Sequence, residues 1–140
     1  MRLHLNGFVT SDDGMIALTK EEQKKWWNGD KPIAESVQDF AREHGWVRDY
    51  SDGLGGTKTL LYGANIRIYV TDKECSLEEA ESCLIETLCG DVMTDIALEG
   101  YSEYTITGYC LEDFSIGGHD LEQVLTSYIG KYIHFILEVE

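Results

Sequence analysis

Gly117-Gly118-His119-Asp120 is the polar cluster whose residue types could do catalytic work. His119 stands just before an expected helix start, where unpaired amides can hold an anion and an imidazole can act as acid or base. Cys110, nine residues upstream, would complete a thiol–imidazole dyad if the chain folded back on itself. No recognised nucleophile motif surrounds either residue. Asp120 has a sufficient structural task as the cap of the following helix, and the cap is the favoured reading. A pocket at His119, Asp120 and Cys110 is the alternative, for a small enzyme or ligand-binding protein.

Adhesion is the second chemistry these residue types allow. Tyr101, Tyr104 and Tyr109 crowd one region beside Glu99, Glu103, Glu112 and Asp113. Tyrosines give contact area at small entropic cost, and carboxylates steer a basic protein into place. A sheet face with its ordinary aromatic pairs would show the same residues. Glu78, Glu79 and Glu86 form another footprint, on the outward side of an expected helix.

The charge supports such a role. The chain of 140 residues carries a formal net charge of −15. Residues 1–70 hold ten acids against nine bases, whereas residues 71–140 hold sixteen acids against Lys73 and Lys131 alone. A field of this sign repels nucleic acid and anionic membrane and speeds encounter with a basic partner. Excess acid that merely keeps the protein in solution is the competing account.

Other site chemistries fail on spacing. Asp12-Asp13-Gly14 echoes a calcium loop, but with Gly14 at the sixth position the first and twelfth ligands would be Val9 and Lys20. The run Gly53-Leu54-Gly55-Gly56-Thr57-Lys58 resembles a phosphate loop, yet Thr57 intervenes before the lysine and a strand, not a helix, follows. Cys75, Cys83, Cys89 and Cys110 contain no C-x-x-C pair, so free thiols in a reducing compartment are expected. His4 and His134 lack a recurring second ligand and read as residues that pack or face solvent. No cofactor and no metal is expected. The first residues lack the apolar core of a signal peptide and no apolar run reaches membrane length, which points to the cytoplasm.

These residues need elements to position them. Residues 2–9 and 15–18 read as a hairpin around a tight turn. Thr19 with Glu22 is a capping box opening a helix through Trp26 and Trp27. Pro32 opens a second helix whose inner face is Ile33, Ala34, Val37, Phe40, Ala41 and His44, ended by Gly45. Residues 46–50 and 59–62 read as strands joined by a glycine-rich loop. Ile66, Ile68 and Val70 then alternate with Asn65, Arg67 and Tyr69, the period of a strand with one buried face. Ser76 with Glu79 is a capping box, predicting a helix from Leu77 along Leu77, Ala80, Leu84 and Leu88 to a stop at Gly90. Residues 95–99 and 104–111 read as strands and 114–118 as a loop. A last helix follows Asp120 along Leu121, Val124, Leu125 and Tyr128, and residues 132–139 close the chain as a strand apolar enough to lie inside a sheet.

From residue 65 the order is strand, helix, strand, strand, helix, strand. That is the βαββαβ order of a ferredoxin-like sandwich. The expectation is one α+β domain over residues 1–140, an antiparallel sheet with helices on one face. Residues 65–140 would form the ferredoxin-like part, and residues 1–64 a hairpin and two helices packed on it. The expected function is non-enzymatic protein binding, the acidic second half engaging a basic protein in the manner of an inhibitor or immunity protein. A homo-oligomeric structural component is the remaining alternative, with no nucleic acid or membrane as direct partner.

Overall fold

A computed structural model of the chain describes residues 1–12, 15–20, 31–49, 56–98 and 109–140. Arg2–Asp12 (β1) and Met15–Thr19 (β2) pair antiparallel with Asp12 opposite Met15, the expected hairpin. Ile33–His44 (α1) follows Pro32 and buries Ile33, Ala34, Val37, Phe40 and Ala41. The helix first expected, after Thr19, falls on residues 21–30, outside the described residues. Trp46–Asp49 (β3) then returns along the start of Thr57–Thr71 (β4).

β4 joins the strands expected at residues 59–62 and from residue 65 into one. One of its edges carries Leu84–Leu98 (β5) along nearly its whole length. The other carries β3 against residues 57–60 and Tyr132–Val139 (β8) against residues 64–71. Two partners fit on that edge because β4 bends between them. Leu61 lies opposite Val92 and Ala64 opposite Gly90, so Tyr62 and Gly63 together face only Asp91. The Asp91 carboxylate accepts the Gly63 amide at 3.0 Å.

Beyond β5 come Tyr109–Ile116 (β6) and the short His119–Asp120 (β7), giving the order β2-β1-β8-β4-β5-β6-β7, with every pair antiparallel. The sheet curls. α1 and Leu121–Thr126 (α3) cover its inner face, where Ile66, Ile68, Val92, Ile116, Phe135 and Leu137 meet Val37, Phe40, Leu121 and Leu125. α3 follows β7 at one end of the sheet and touches β2 at the other. There the Glu122 carboxylate accepts the Ile16 amide at 3.3 Å, meeting a donor on the outer edge of β2. Ala17 bridges to Pro32 along the same edge.

The ferredoxin-like expectation is overturned. Among the described residues strand far outweighs helix, and the sheet is curled into an antiparallel half-barrel. The helix expected to run to Gly90 lasts a single turn, Leu77–Ala80 (α2), followed by a 3-10 turn over Glu81–Cys83. β4 and β5 are therefore hairpin partners, where a ferredoxin-like unit needs a parallel crossover. α2 lies on the outer face, so the helices are not all on one face. The four-residue spacing of Leu84 and Leu88 caused the misreading, because it satisfies a helical stripe and a strand's period of two alike. The alternation that decides the matter continues past them through Gly90, Val92, Thr94 and Ile96. The loop expected at residues 114–118 shrinks likewise, since Phe114 and Ile116 are buried in β6 and Gly117-Gly118 alone turn the chain.

Gly90 is a point of close approach within a strand, not a helix stop. A Cβ there would lie 2.7 Å from the Gly117 Cα, and one on Gly117 would lie 2.6 Å from the Cys89 carbonyl oxygen, with φ of +140° and +54°. Gly90→Ala should therefore cost on the order of 2 kcal/mol or more, because backbone must shift on both strands. Gly63→Asn, at φ +62° with nothing within 4 Å, should cost less than about 1 kcal/mol. Urea midpoints of the two variants test this ranking. Glu122 supplies a pH test. Burial pushes its carboxyl up to about 7, opposed by the Ile16 amide and reinforced by Asp120. The stability gained by holding it protonated is complete below pH 4.5 and lost as pH rises through about 7. Glu122→Gln should remove that loss, so its urea midpoint should gain on the parent protein's between pH 4.5 and pH 8.

Candidate binding face around the β4–β5 connection

The outer face of the sheet is built from side chains that alternate with the core. β8 contributes Tyr132, His134, Ile136 and Glu138, β4 contributes Asn65, Arg67, Tyr69 and Thr71, and β1 contributes Arg2, His4, Asn6 and Phe8. The faces of β4 and β8 divide as the sequence alternation predicts. Residues 72–83 fold back over this face and dock α2 through Leu77 and the fully buried Ala80 against Tyr69 and Ile136. The expected capping box forms. Ser76 Oγ accepts the Glu79 amide at 3.2 Å, while Glu79 Oε1 accepts the Ser76 amide at 3.1 Å and its hydroxyl at 3.0 Å. Those bonds hold the Glu79 carboxyl below its ordinary range.

Polar contacts tie the face together. Arg67 pairs with Glu138 and donates to the Tyr69 hydroxyl at 3.2 Å, and Asn6 donates to the Tyr132 hydroxyl at 2.7 Å. His134, only 2% exposed, lies 2.8 Å from both His4 Nε2 and the Cys75 carbonyl. A carbonyl only accepts, so His134 Nε2 must donate to it, leaving Nδ1 of the neutral ring to accept from His4 Nε2. This relay fastens the start of the connection to β8 and β1. A cleft of about 260 Å³ opens beside it, with Tyr69, Leu77 and Ile136 as its floor and Arg2, Arg67, Glu78 and Glu81 at its sides. Arg67 is paired with Glu138, and the lining carries as many carboxylates as guanidinium groups, so the cleft has no net preference for an anion.

The connection itself is acidic. Asp72, Glu74, Glu78, Glu79 and Glu81 are all exposed along ten residues, with Lys73 as the one base. Asp72 pairs with Lys131, which holds its carboxyl below the ordinary range, and Glu79 serves the cap. Glu74, Glu78 and Glu81 make no ion pair among the described residues.

Other candidate residues are scattered. Glu86 is not beside Glu78 and Glu79 on a helix. It lies in β5 opposite Ile68 and accepts the Tyr128 hydroxyl at 3.0 Å; burial first, and then this bond, push that phenol up to about 12. Glu112 is exposed at a bulge in β6, and Asp113 lies across from Asp95. Tyr101, Glu103 and Tyr104 lie outside the described residues, and Tyr109 is placed by its backbone alone in β6. His119 is exposed opposite Ile116, whereas Cys110 pairs with Ala97 six residues back along β6. That leaves roughly 20 Å of strand between the imidazole and the thiol. Asp120 accepts the amides of Glu122 and Gln123 at 3.0 and 3.4 Å as the helix cap. The alternative pocket is therefore not assembled. Among the described residues no three His, Cys, Asp or Glu side chains form a metal site, and no helix is long and apolar enough to cross a membrane.

Glu74, Glu81, Arg2, Arg67 and the His4–His134 pair were not singled out as functional from the sequence. Arg67 was legible as the polar face of a strand, but its partner Glu138 depends on the β4–β8 register. The relay makes a pH prediction. His4 is held below 6.5 by burial first, then by His134 and Arg2. The stability this represents is complete above pH 6.5 and lost as pH falls through the lowered value. His4→Gln should flatten that acid limb in urea unfolding, and NMR titration of the His4 ring should give a midpoint below 6.5. Searches against protein-family models, curated proteins and solved structures find no match to this chain.

Proposed function

We propose that this protein is a non-enzymatic binding module whose acidic ridge, residues 72–81, engages a basic surface on another protein, as an inhibitor or immunity protein does. The observation that carries the reading is the docking of the ridge. Leu77 and Ala80 seat it on Tyr69 and Ile136, the Ser76–Glu79 box fixes its turn, and Glu74, Glu78 and Glu81 project into solvent without ion-pair partners among the described residues. Carboxylates held on a packed turn need no ordering when a partner arrives, so little conformational entropy opposes their contact with lysine and arginine. Their field raises the rate of encounter with a basic surface. Among the described residues no cysteine is joined in a disulfide, and the compartment proposed is the reducing cytoplasm.

Affinity capture from cells of the native host tests this reading. The full chain should retain a basic protein at low salt and release it at high salt, because surface charges attract through a screened field. The combined variant Glu74→Lys, Glu78→Lys and Glu81→Lys should slow association with that protein by roughly tenfold or more without lowering the melting temperature. It spares Glu79, whose loss would damage the turn. A complex indifferent to both salt and charge reversal would sink the proposal.

A further inference from the structure

β5 is longer than the strand beside it. It pairs with β4 from Leu84 to Ile96, but with β6 only from Val92 to Leu98. The Gly117 amide reaches the Asp91 carbonyl at 3.2 Å, after which β6 turns away through Gly117-Gly118 toward α3. Residues 84–89 therefore present an edge that no strand occupies among the described residues. The other edges are blunted. β2 is met by Pro32 and Glu122, β3 is four residues long with Arg48 and Asp49, and β6 carries a bulge with Glu112 and Asp113. Natural sheets protect edges by such means, because unpaired amides and carbonyls recruit any extended chain. Residues 84–89 include neither proline nor lysine, and Glu86, their one charge, is turned inward to Tyr128. Leu84 and Ile85 are 43% and 55% exposed, and Cys89 is exposed as well. A bulge at Ile85 is the one such device on this edge, and the ladder from Glu86 to Cys89 is regular.

Charge chooses the occupant. No lysine or arginine occurs between Lys73 and Lys131, and Glu81 and Asp91 flank the edge. A second copy would lay this acidic edge against itself. We infer that residues 84–89 form a strand-addition site for an extended segment of a basic protein in which lysine or arginine alternates with apolar residues. Main-chain hydrogen bonds to β5 hold the segment, its apolar side chains cover Leu84 and Ile85, and its cations face the acids at either end. This rests on the acidic-ridge reading and specifies the segment the partner inserts.

The test uses the full chain, labelled with nitrogen-15, and three capped heptapeptides. One alternates lysine with valine, the second is the same peptide N-methylated at every residue, and the third carries glutamate in place of lysine. The first should protect the amides of residues 84–89 from hydrogen exchange, and the other two should not. Ile85→Lys, at a site already exposed, should weaken the first peptide by roughly tenfold without changing the melting temperature. Equal binding by the lysine peptide and its methylated form, with shifts confined to residues 72–81, would overturn the strand-addition site and leave the acidic ridge standing. No preference for lysine over glutamate would overturn both. Amides at residues 84–89 already protected in a sedimenting dimer would replace the inference with self-pairing.

Discussion

A strand flanked on both sides cannot move without breaking two ladders, and β4 is flanked along nearly all of its fifteen residues. β5 lies on one side and β3 and β8 share the other. The bend at Tyr62-Gly63, where two residues of β4 face Asp91 alone, falls between the two partners on that edge. The bend in turn curls the inner face enough for α3 to reach from β7 to β2. Among the described residues the inner face is covered by two helices, and no further strand closes a barrel.

Glycine fixes where β5 and β6 part company. Gly90 and Gly117 pack backbone on backbone, so β6 leaves the sheet just past that contact and β5 continues alone. The free edge of β5 and the covered inner core thus share one cause. A side chain at either glycine would push the two strands apart at the point where the chain must turn to feed α3. The buried hydroxyl pair of Thr59 and Thr94, 2.5 Å apart in adjacent strands, shows the same economy. Two polar groups on the inner face satisfy each other where no water needs to reach.

Sequence reading was reliable wherever one local interaction decides the outcome. The Ser76–Glu79 box, the Asp120 cap, the opening hairpin and the two faces of residues 132–139 were all legible, since each rests on neighbours in the chain. It failed where two structures share a pattern. Leu77, Ala80, Leu84 and Leu88 satisfy a helix at spacings of three and four, and the last two satisfy a strand as well. Only pairing with β4, a tertiary fact, resolves them. The candidate site failed for a related reason: Glu86 joins Glu78 and Glu79 if the helix continues and points to Tyr128 if it does not. His4 with His134, and Arg67 with Glu138, are separated by 130 and 71 residues. No spacing rule brings such pairs together before the strand order is known.

The placement of the acids bears on whether they serve more than solubility. Charge that only keeps a protein dispersed works from any exposed position, including mobile turns, and needs no scaffold. Here an apolar seat, a capping box and the His134 bond to the Cys75 carbonyl hold a ten-residue acidic run against the sheet. Lys131 is the only base of residues 74–140, and it meets Asp72 at the root of that run rather than the carboxylates further along. The pair is exposed, so its contribution to stability is small. Its effect is positional: it fixes where the ridge leaves β4, while Glu74, Glu78 and Glu81 have no ion pair among the described residues. Concentrating like charge on an ordered turn raises the self-repulsion of the folded state, a cost that dispersed acids would avoid. A basic partner seated on the ridge removes that repulsion, so the same arrangement that opposes folding of the free protein favours the complex.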